Sequence, residues 1–366
     1  MSSKTPLYDR HVALGGRVVD FAGWMLPVQY EGVLAEHKHC RRSAVVFDTS
    51  HMGQFVVRGP DAADQLSRIG TQNARDLARG ACKYGFLLNA DAGVIDDTIL
   101  MRLGLEEFLL VVNAGPTAGD FHWLSEHLDG AVELVDRSTG GWGKIDLQGP
   151  LSARVLQPMV NIDLMTMGYY RVRRGECLGR DCVISRTGYT GELGYEIMAP
   201  EADLQAIFDE LLARDEVKPA GLGARDSLRL EMGYPLYGHE LSVEHNPIEA
   251  GLGSFIDPAD DFIGSREIKA LIETPLPRKL VAFRAESRRR TNPGNEIFWD
   301  GQPVGVVTSG AFSPSLEISI GMGYVQTLLT EPGRRLMVDT GRCELPVTVS
   351  RKPLCRDGTC RTRNPL

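Results

Sequence analysis

Two adjacent carboxylates, Asp96 and Asp97, stand inside an otherwise apolar run, Val94-Ile95-Asp96-Asp97-Thr98-Ile99-Leu100-Met101. Alternation along a strand puts Asp97 on the face of Ile95, Ile99 and Met101 and turns Asp96 to the other face. Asp97 is therefore a candidate for a partly desolvated acid or base, since apolar surroundings raise a carboxyl pKa. The preceding run, Tyr84-Gly85-Phe86-Leu87-Leu88, is joined to it by the turn-rich Asn89-Ala90-Asp91-Ala92-Gly93, the pattern of a β-hairpin. Folding about that loop sets Gly85 roughly opposite Asp97 and brings Tyr84 and Phe86 diagonally near it. Aromatic rings beside a carboxylate suit a flat heteroaromatic ligand; a surface Asp pair on an edge strand is the plainer alternative.

A second segment carries related chemistry. The loop Arg186-Thr-Gly-Tyr-Thr-Gly-Glu-Leu-Gly194 frames Tyr189 with glycines, which lets a backbone approach a ligand closely, although a plain long hairpin loop would read the same. Glu196 follows and, by alternation, shares a face with Gly194 and Met198. A carboxylate there can accept two N–H bonds from an amidine-like ligand edge.

Other chemistries are not supported. Ala220-Gly-Leu-Gly-Ala-Arg-Asp226 holds a lone G-x-G without a preceding strand or third glycine, and Gly140-Gly-Trp-Gly-Lys144 lacks the spacing of a P-loop. The eight histidines form no H-E-x-x-H and no H-x-E joined to C-x-x-C; no G-x-S-x-G elbow surrounds any serine. Seven scattered cysteines, including Cys355 and Cys360 near the C-terminus, show no zinc-site spacing and fit free thiols in a reducing cytoplasm. No metal is expected. The net charge of −8 gives no basic field for a phosphate backbone, so nucleic acid is not an expected partner. No apolar run approaches the roughly 18 residues needed to span a bilayer, and the N-terminus lacks the apolar core of a signal peptide.

The elements that would position these groups follow from periodicity. A helix is expected from about Val33 to Ala44. Gln54-Phe55-Val56-Val57 reads as a strand, ended by Gly59-Pro60 and followed by a helix from Asp61. The same grammar returns about 90 residues later, where Lys144-Ile145-Asp146-Leu147-Gln148 meets Gly149-Pro150 and a helix through Ala153, Val155 and Leu156. Phe108 to Val112 supplies a further strand, then a helix carries Phe121, Leu124 and Leu128. Strands Cys182-Val-Ile-Ser185 and Tyr195-Glu-Ile-Met198 bracket the glycine loop, and an amphipathic helix through Leu204, Ile207, Phe208, Leu211 and Leu212 follows. From about Leu280 short strands alternate with Gly and Pro turns, the mark of an all-β C-terminal domain. At 366 residues the chain exceeds one ordinary domain.

Taken together, the segments resemble the glycine cleavage T-protein family over nearly the whole chain. The similarity is carried by Thr5-Pro-Leu-Tyr-Asp9, Val19-Asp-Phe-Ala-Gly-Trp24, Pro27-Val-Gln-Tyr30 and Phe47-Asp-Thr-Ser-His-Met-Gly-Gln54. It continues in Gly93-Val-Ile-Asp-Asp97, Ser185-Arg-Thr-Gly-Tyr-Thr-Gly-Glu192, Ala220-Gly-Leu-Gly-Ala-Arg-Asp226 and Thr308-Ser-Gly-Ala-Phe-Ser-Pro314. Arg288-Arg-Arg-Thr-Asn-Pro-Gly294 and the tail Cys355-Arg-Asp-Gly-Thr-Cys-Arg-Thr-Arg363 depart from the family pattern.

The resemblance implies an α+β protein of three domains set in a cloverleaf around a central folate pocket, the last an all-β distorted barrel. Mapped here, the domains are 1–50 with 137–275, then 51–136, then 276–366. The implied activity is aminomethyltransferase: the methylene carbon of an aminomethyl group on the lipoyl arm of the H-protein passes to tetrahydrofolate as co-substrate, with ammonia released. The lipoylated H-protein is the implied partner. Asp97 matches the essential aspartate, Tyr84, Asn113, Tyr189 and Glu196 match positions lining the folate pocket, and Arg225 matches an arginine near its mouth. Arg361, in the departing tail, is the candidate for a folate-tail arginine. Two related readings are a tetrahydrofolate-dependent demethylase, disfavoured by the match around Asp97 and Tyr189, and a non-catalytic folate-binding protein. The latter's Lys-Gly-Cys-x-x-Gly-Gln-Glu motif is absent where this chain reads Gly238-His-Glu-Leu-Ser-Val-Glu-His245.

Overall fold

The computed structural model describes residues 2–139, 141–355 and 358–362. It is an α+β protein whose contacts divide it into two units, residues 1–86, 97–225 and 358–366 in one and residues 87–96 with 226–357 in the other.

The first unit is built on two larger sheets. One has six strands in the order Val172–Cys177, Arg180–Ser185, Gly194–Pro200, Trp142–Gln148, Ala44–Asp48 and Val217–Pro219; all pairs are antiparallel except the last. The other has five, in the order Cys82–Leu88, Val94–Arg102, Glu107–Val112, Gly53–Arg58 and Glu133–Asp136. The tip of its first hairpin, residues 87–96, groups with the second unit. A small sheet of Ser3–Lys4, Trp24–Gln29 and Arg17–Phe21 completes the set.

One face of the six-stranded sheet is covered by helix Glu201–Leu212, which buries Leu204, Ile207, Phe208 and Leu211 against Val46, Ile145, Leu147 and Ile197. Its other face meets the five-stranded sheet. There Val183, Met198 and Val172 share one apolar cluster with Cys82, Met101, Val111 and Val56. Ile99 and Met52 pack against the same cluster, and burial of this apolar surface is what holds the two sheets face to face.

The repeated strand–Gly-Pro–helix grammar has a physical basis. Strands Gly53–Arg58 and Trp142–Gln148 end at Gly59 and Gly149, whose φ angles are 135° and 136°. A Cβ on Gly59 would lie 2.0 Å from the Ala131 carbonyl oxygen, and one on Gly149 2.1 Å from that of Ser43. Both sites thus demand glycine twice over, for torsion and for space. The chain then enters helices Ala62–Ile69 and Ser152–Leu156.

The second unit contains a closed six-stranded barrel, ordered Arg278–Ala285, Ile318–Gln326, Gln302–Ser313, Glu296–Trp299, Arg335–Asp339 and Glu344–Ser350. Phe283, Ile297, Val325, Val338 and Val347 lie in its core cluster. The expected all-β segment therefore closes on itself, which removes exposed edges. The helix expected from about Val33 to Ala44 runs from Val33 to Arg42, and the fully buried strand Ala44–Asp48 follows it. Replacing Gly149 with Ala is expected to cost about 2 kcal/mol or more, from torsional strain and the clash with Ser43 together, read as a lowered midpoint in chemical unfolding.

Candidate active site

Strand Val94–Arg102 shows the expected alternation. Val94, Asp96, Thr98 and Leu100 are at most 1% exposed, whereas Ile95, Asp97 and Ile99 are half-buried. The carboxylate most withdrawn from water is thus Asp96, and Asp97 sits on the more open face. The register that pairs Ile99 with Val111 sets Asp97 across from Asn113, just beyond the end of strand Glu107–Val112. Asn113 donates its side-chain N–H to Asp97 Oδ1 at 2.8 Å, and the Tyr84 hydroxyl donates to Asp97 Oδ2 at 3.0 Å. Both oxygens are engaged, which fixes the plane of the carboxylate. Burial pushes the Tyr84 phenol well above its ordinary value, and the negative charge of Asp97 pushes it further, so Tyr84 remains a donor. Phe86 packs edge-on against Tyr84, ring centres 5.2 Å apart.

The opposite sheet contributes charge. In its central pair, Asp146 lies directly across from Glu196 and Lys144 across from Met198, so all four side chains share one face. Lys144 Nζ reaches Asp146 Oδ1 at 2.6 Å, Glu196 Oε2 at 2.9 Å and the Thr49 hydroxyl at 3.1 Å. Arg225, on helix Leu222–Met232, donates to the other oxygen of Asp146 at 3.2 Å and lies over the Tyr189 ring, 4.7 Å from its centre. Two cations and two carboxylates form a neutral cluster, with the Lys144 and Asp146 side chains only 1% exposed. Burial would raise Asp146, but Lys144 and Arg225 hold it below the ordinary carboxylate value. Glu196 is raised, by burial first and by the charge of Asp146, against the opposing pull of Lys144.

The two groups of residues sense one another. The Cys82 thiol is pushed up by burial and by the charge of Glu196, and Tyr189 adds to the shift of Tyr84. The cluster between the sheets holds Ile99 and Met101, from the strand face of Asp97, together with Met198, from that of Glu196, so Asp97 with its donors Tyr84 and Asn113 lies on the side facing Glu196 and its charged neighbours. Arg361 stands apart from this cluster: it is exposed, in a tail segment bound to the glycine loop. The glycines of that loop serve a neighbour within the protein. A Cβ on Gly188 or Gly194 would fall 2.1 Å or 2.3 Å from the Gln148 side chain, which donates to the Thr187 carbonyl and accepts from the Thr190 hydroxyl. The close approach they allow is to Gln148, and its effect is to set the loop that carries Tyr189.

Residues 7–259 match the family model described as the GCVT N-terminal domain, and residues 278–355 match that of the glycine cleavage T-protein C-terminal barrel domain. The chain belongs to the glycine cleavage T-protein family. An aminomethyltransferase of Halothermothrix orenii is 40% identical over 340 residues, spanning 92% of this chain and 95% of that protein. One of Rubrobacter xylanophilus is 42% identical, with 88% and 87% covered. The crystal structure of the glycine cleavage system aminomethyltransferase T from Bartonella henselae superposes with a TM-score of 0.93 at 33% identity, covering 98% of this chain and 99% of that one.

Within this T-protein family fold, three residues at the site escaped the sequence reading. Lys144 and Asp146 are opposite charges two apart in an apolar strand, a signal that was on display but whose partner, Glu196, is remote in sequence. His51 lies in the matching segment 47–54, is 6% exposed, packs edge-on to Phe21 at 5.8 Å, and has no partner for Nδ1. Burial, then the Arg225 cation, pulls its pKa down from 6.5 to about 4. Between those values the unfolded chain binds a proton there that the folded protein refuses, so stability must fall as pH drops through this window. The expected loss is about 3 kcal/mol in total. Urea unfolding of His51→Leu at pH 7.5 and pH 5 should show a correspondingly shallower acid-side decline than the unsubstituted protein; an unchanged decline would assign it to other groups.

Proposed function

We propose that this chain is the aminomethyltransferase of the glycine cleavage system, with tetrahydrofolate as co-substrate and the lipoylated H-protein as partner, acting in the cytoplasm. The observation that carries the reading is the Asp97 carboxylate, oriented by Tyr84 and Asn113 and facing a second, charged group around Glu196. The residues present fit a folate. A flat pterin needs aromatic surfaces, available in Tyr84 and Tyr189, and its N–H edge needs a carboxylate acceptor, available in Glu196. The carboxylates of the folate tail call for a cation, for which Arg361 is assigned, with Arg225 near the pocket mouth.

In the proposed reaction the methylene carbon leaves the lipoyl sulfur and its amino nitrogen and forms bonds to two folate nitrogens. The two folate N–H protons end on the departing thiol and on ammonia, so no oxidant is required. We assign Asp97 to the reacting nitrogens, where a fixed negative charge assists proton transfer and stabilises the amine as it becomes cationic. The names of the relatives favour this reading over a demethylase or a silent folate binder.

Ammonia release from aminomethylated H-protein, measured with and without tetrahydrofolate, is the direct test: release that depends on the folate supports the transferase, and none at all overturns it. Asp97→Asn keeps the shape and removes the charge, so the rate should fall by about 10²- to 10⁴-fold while folate affinity changes far less. Tyr189→Ala should instead weaken folate binding by on the order of 1 kcal/mol, visible in calorimetric titration.

A further inference from the structure

The glycine loop 186–194 is held from two sides. From within, Arg41 donates to the Thr190 carbonyl at 2.7 Å and to Glu192 Oε1 at 2.8 Å. From without, the C-terminal segment lies along it. The Thr359 hydroxyl donates to Glu192 Oε2 and accepts from the Leu193 N–H at 2.8 Å; the Thr359 N–H reaches the same Glu192 oxygen at 3.3 Å. The Cys360 N–H donates to the Gly191 carbonyl at 2.9 Å, and the Arg186 guanidinium donates to the Thr362 carbonyl.

We propose that segment 358–362 is a strap that sets the affinity for folate, with Thr359 as its positioning residue. The proposal rests on the transferase reading above. Glu192 is 2% exposed and Leu193 1%, so both ends of the Thr359 contact are withdrawn from water. A threonine hydroxyl has one donor and two acceptor positions, and here one side chain serves a buried carboxylate and a buried N–H together. Losing it strands the Leu193 N–H and leaves Glu192 Oε2 with only the longer contact from the Thr359 N–H, and stranded buried polar groups are relieved by local opening toward water. The segment that would open carries Tyr189, and the strap itself carries Arg361. Thr359 acts through these two residues rather than on the reacting atoms. The matched barrel domain ends at residue 355, so the strap lies beyond the part of the chain that the family model describes.

The test compares full-length Thr359→Val, which keeps the shape but not the hydroxyl, with Thr359→Ser, which restores it. In Thr359→Val, amide hydrogen exchange in peptides covering residues 186–194 should accelerate about tenfold, and the dissociation constant for tetrahydrofolate should rise by a similar factor. The kcat at saturating folate should stay within about twofold, and Thr359→Ser should behave as the unsubstituted protein in all three measurements. Unchanged exchange in Thr359→Val overturns the strap. Faster exchange with unchanged folate affinity overturns its link to the site. Absence of tetrahydrofolate binding by the unsubstituted protein would instead sink the transferase reading, while the exchange comparison still decides whether the strap holds the loop.

Discussion

The pairing of Lys144 with both Asp146 and Glu196 is the constraint around which the first unit is arranged. A lone ammonium in this position would carry several kcal/mol of desolvation cost. Two carboxylates around one lysine would leave a net negative charge, and Arg225 supplies the missing cation through Asp146. Neutrality therefore requires contributions from two adjacent strands and a helix at once. An apolar set of similar volume would serve stability as well or better, so the cluster is expensive as mere packing. What it provides is a set of fixed charges under the face that carries Glu196, with Arg225 also laid over Tyr189.

The glycine loop shows how the same region is kept in shape without a regular element. Gln148, next to the Gly149 turn, pushes its amide between positions 188 and 194, where any side chain would collide with it. Its two hydrogen bonds, to Thr187 and Thr190, bracket Tyr189 in the sequence. The turn that ends strand Trp142–Gln148 and the loop that presents Tyr189 are thus one packed unit. Glycines that look permissive in the sequence are, in the fold, sites of close contact.

Much of this was legible in the sequence because it is local. Period-two alternation in Val94 to Met101 separated Asp97 from Asp96, and the hairpin about Asn89 brought Tyr84 to Asp97 as expected, its loop tied by Asn89 Oδ1 to the N–H groups of Asp91 and Gly93. The helix from Val33 ends at Arg42 and not at about Ala44, because helix ends carry no sharp local signal and the buried strand Ala44–Asp48 already begins there. The role of Lys144 and Asp146 is not legible locally, for a different reason. Their meaning depends on a register that pairs position 146 with position 196, and no local pattern encodes such a pairing. His51 and Thr359 belong to the same class, each defined by what packs on it from distant segments.

A carboxylate intended for proton transfer must be reachable, and one intended to hold a fold need not be. Adjacent positions on one strand satisfy both demands, because the pleat sends them to opposite faces. Asp96, with no exposure, is enclosed in the interior, so a substitution there perturbs the fold itself and says little about chemistry. Asp97 is oriented by two neutral donors, a phenol and an amide, on a face lined elsewhere by Ile99, Met101 and Val111. A phenol and an amide orient a carboxylate by hydrogen bonding, whereas the cations beside Glu196 and Asp146 also offset charge. The two facing sheets therefore contribute differently: one presents a carboxylate oriented by a phenol and an amide, the other a cluster of paired cations and carboxylates around Glu196.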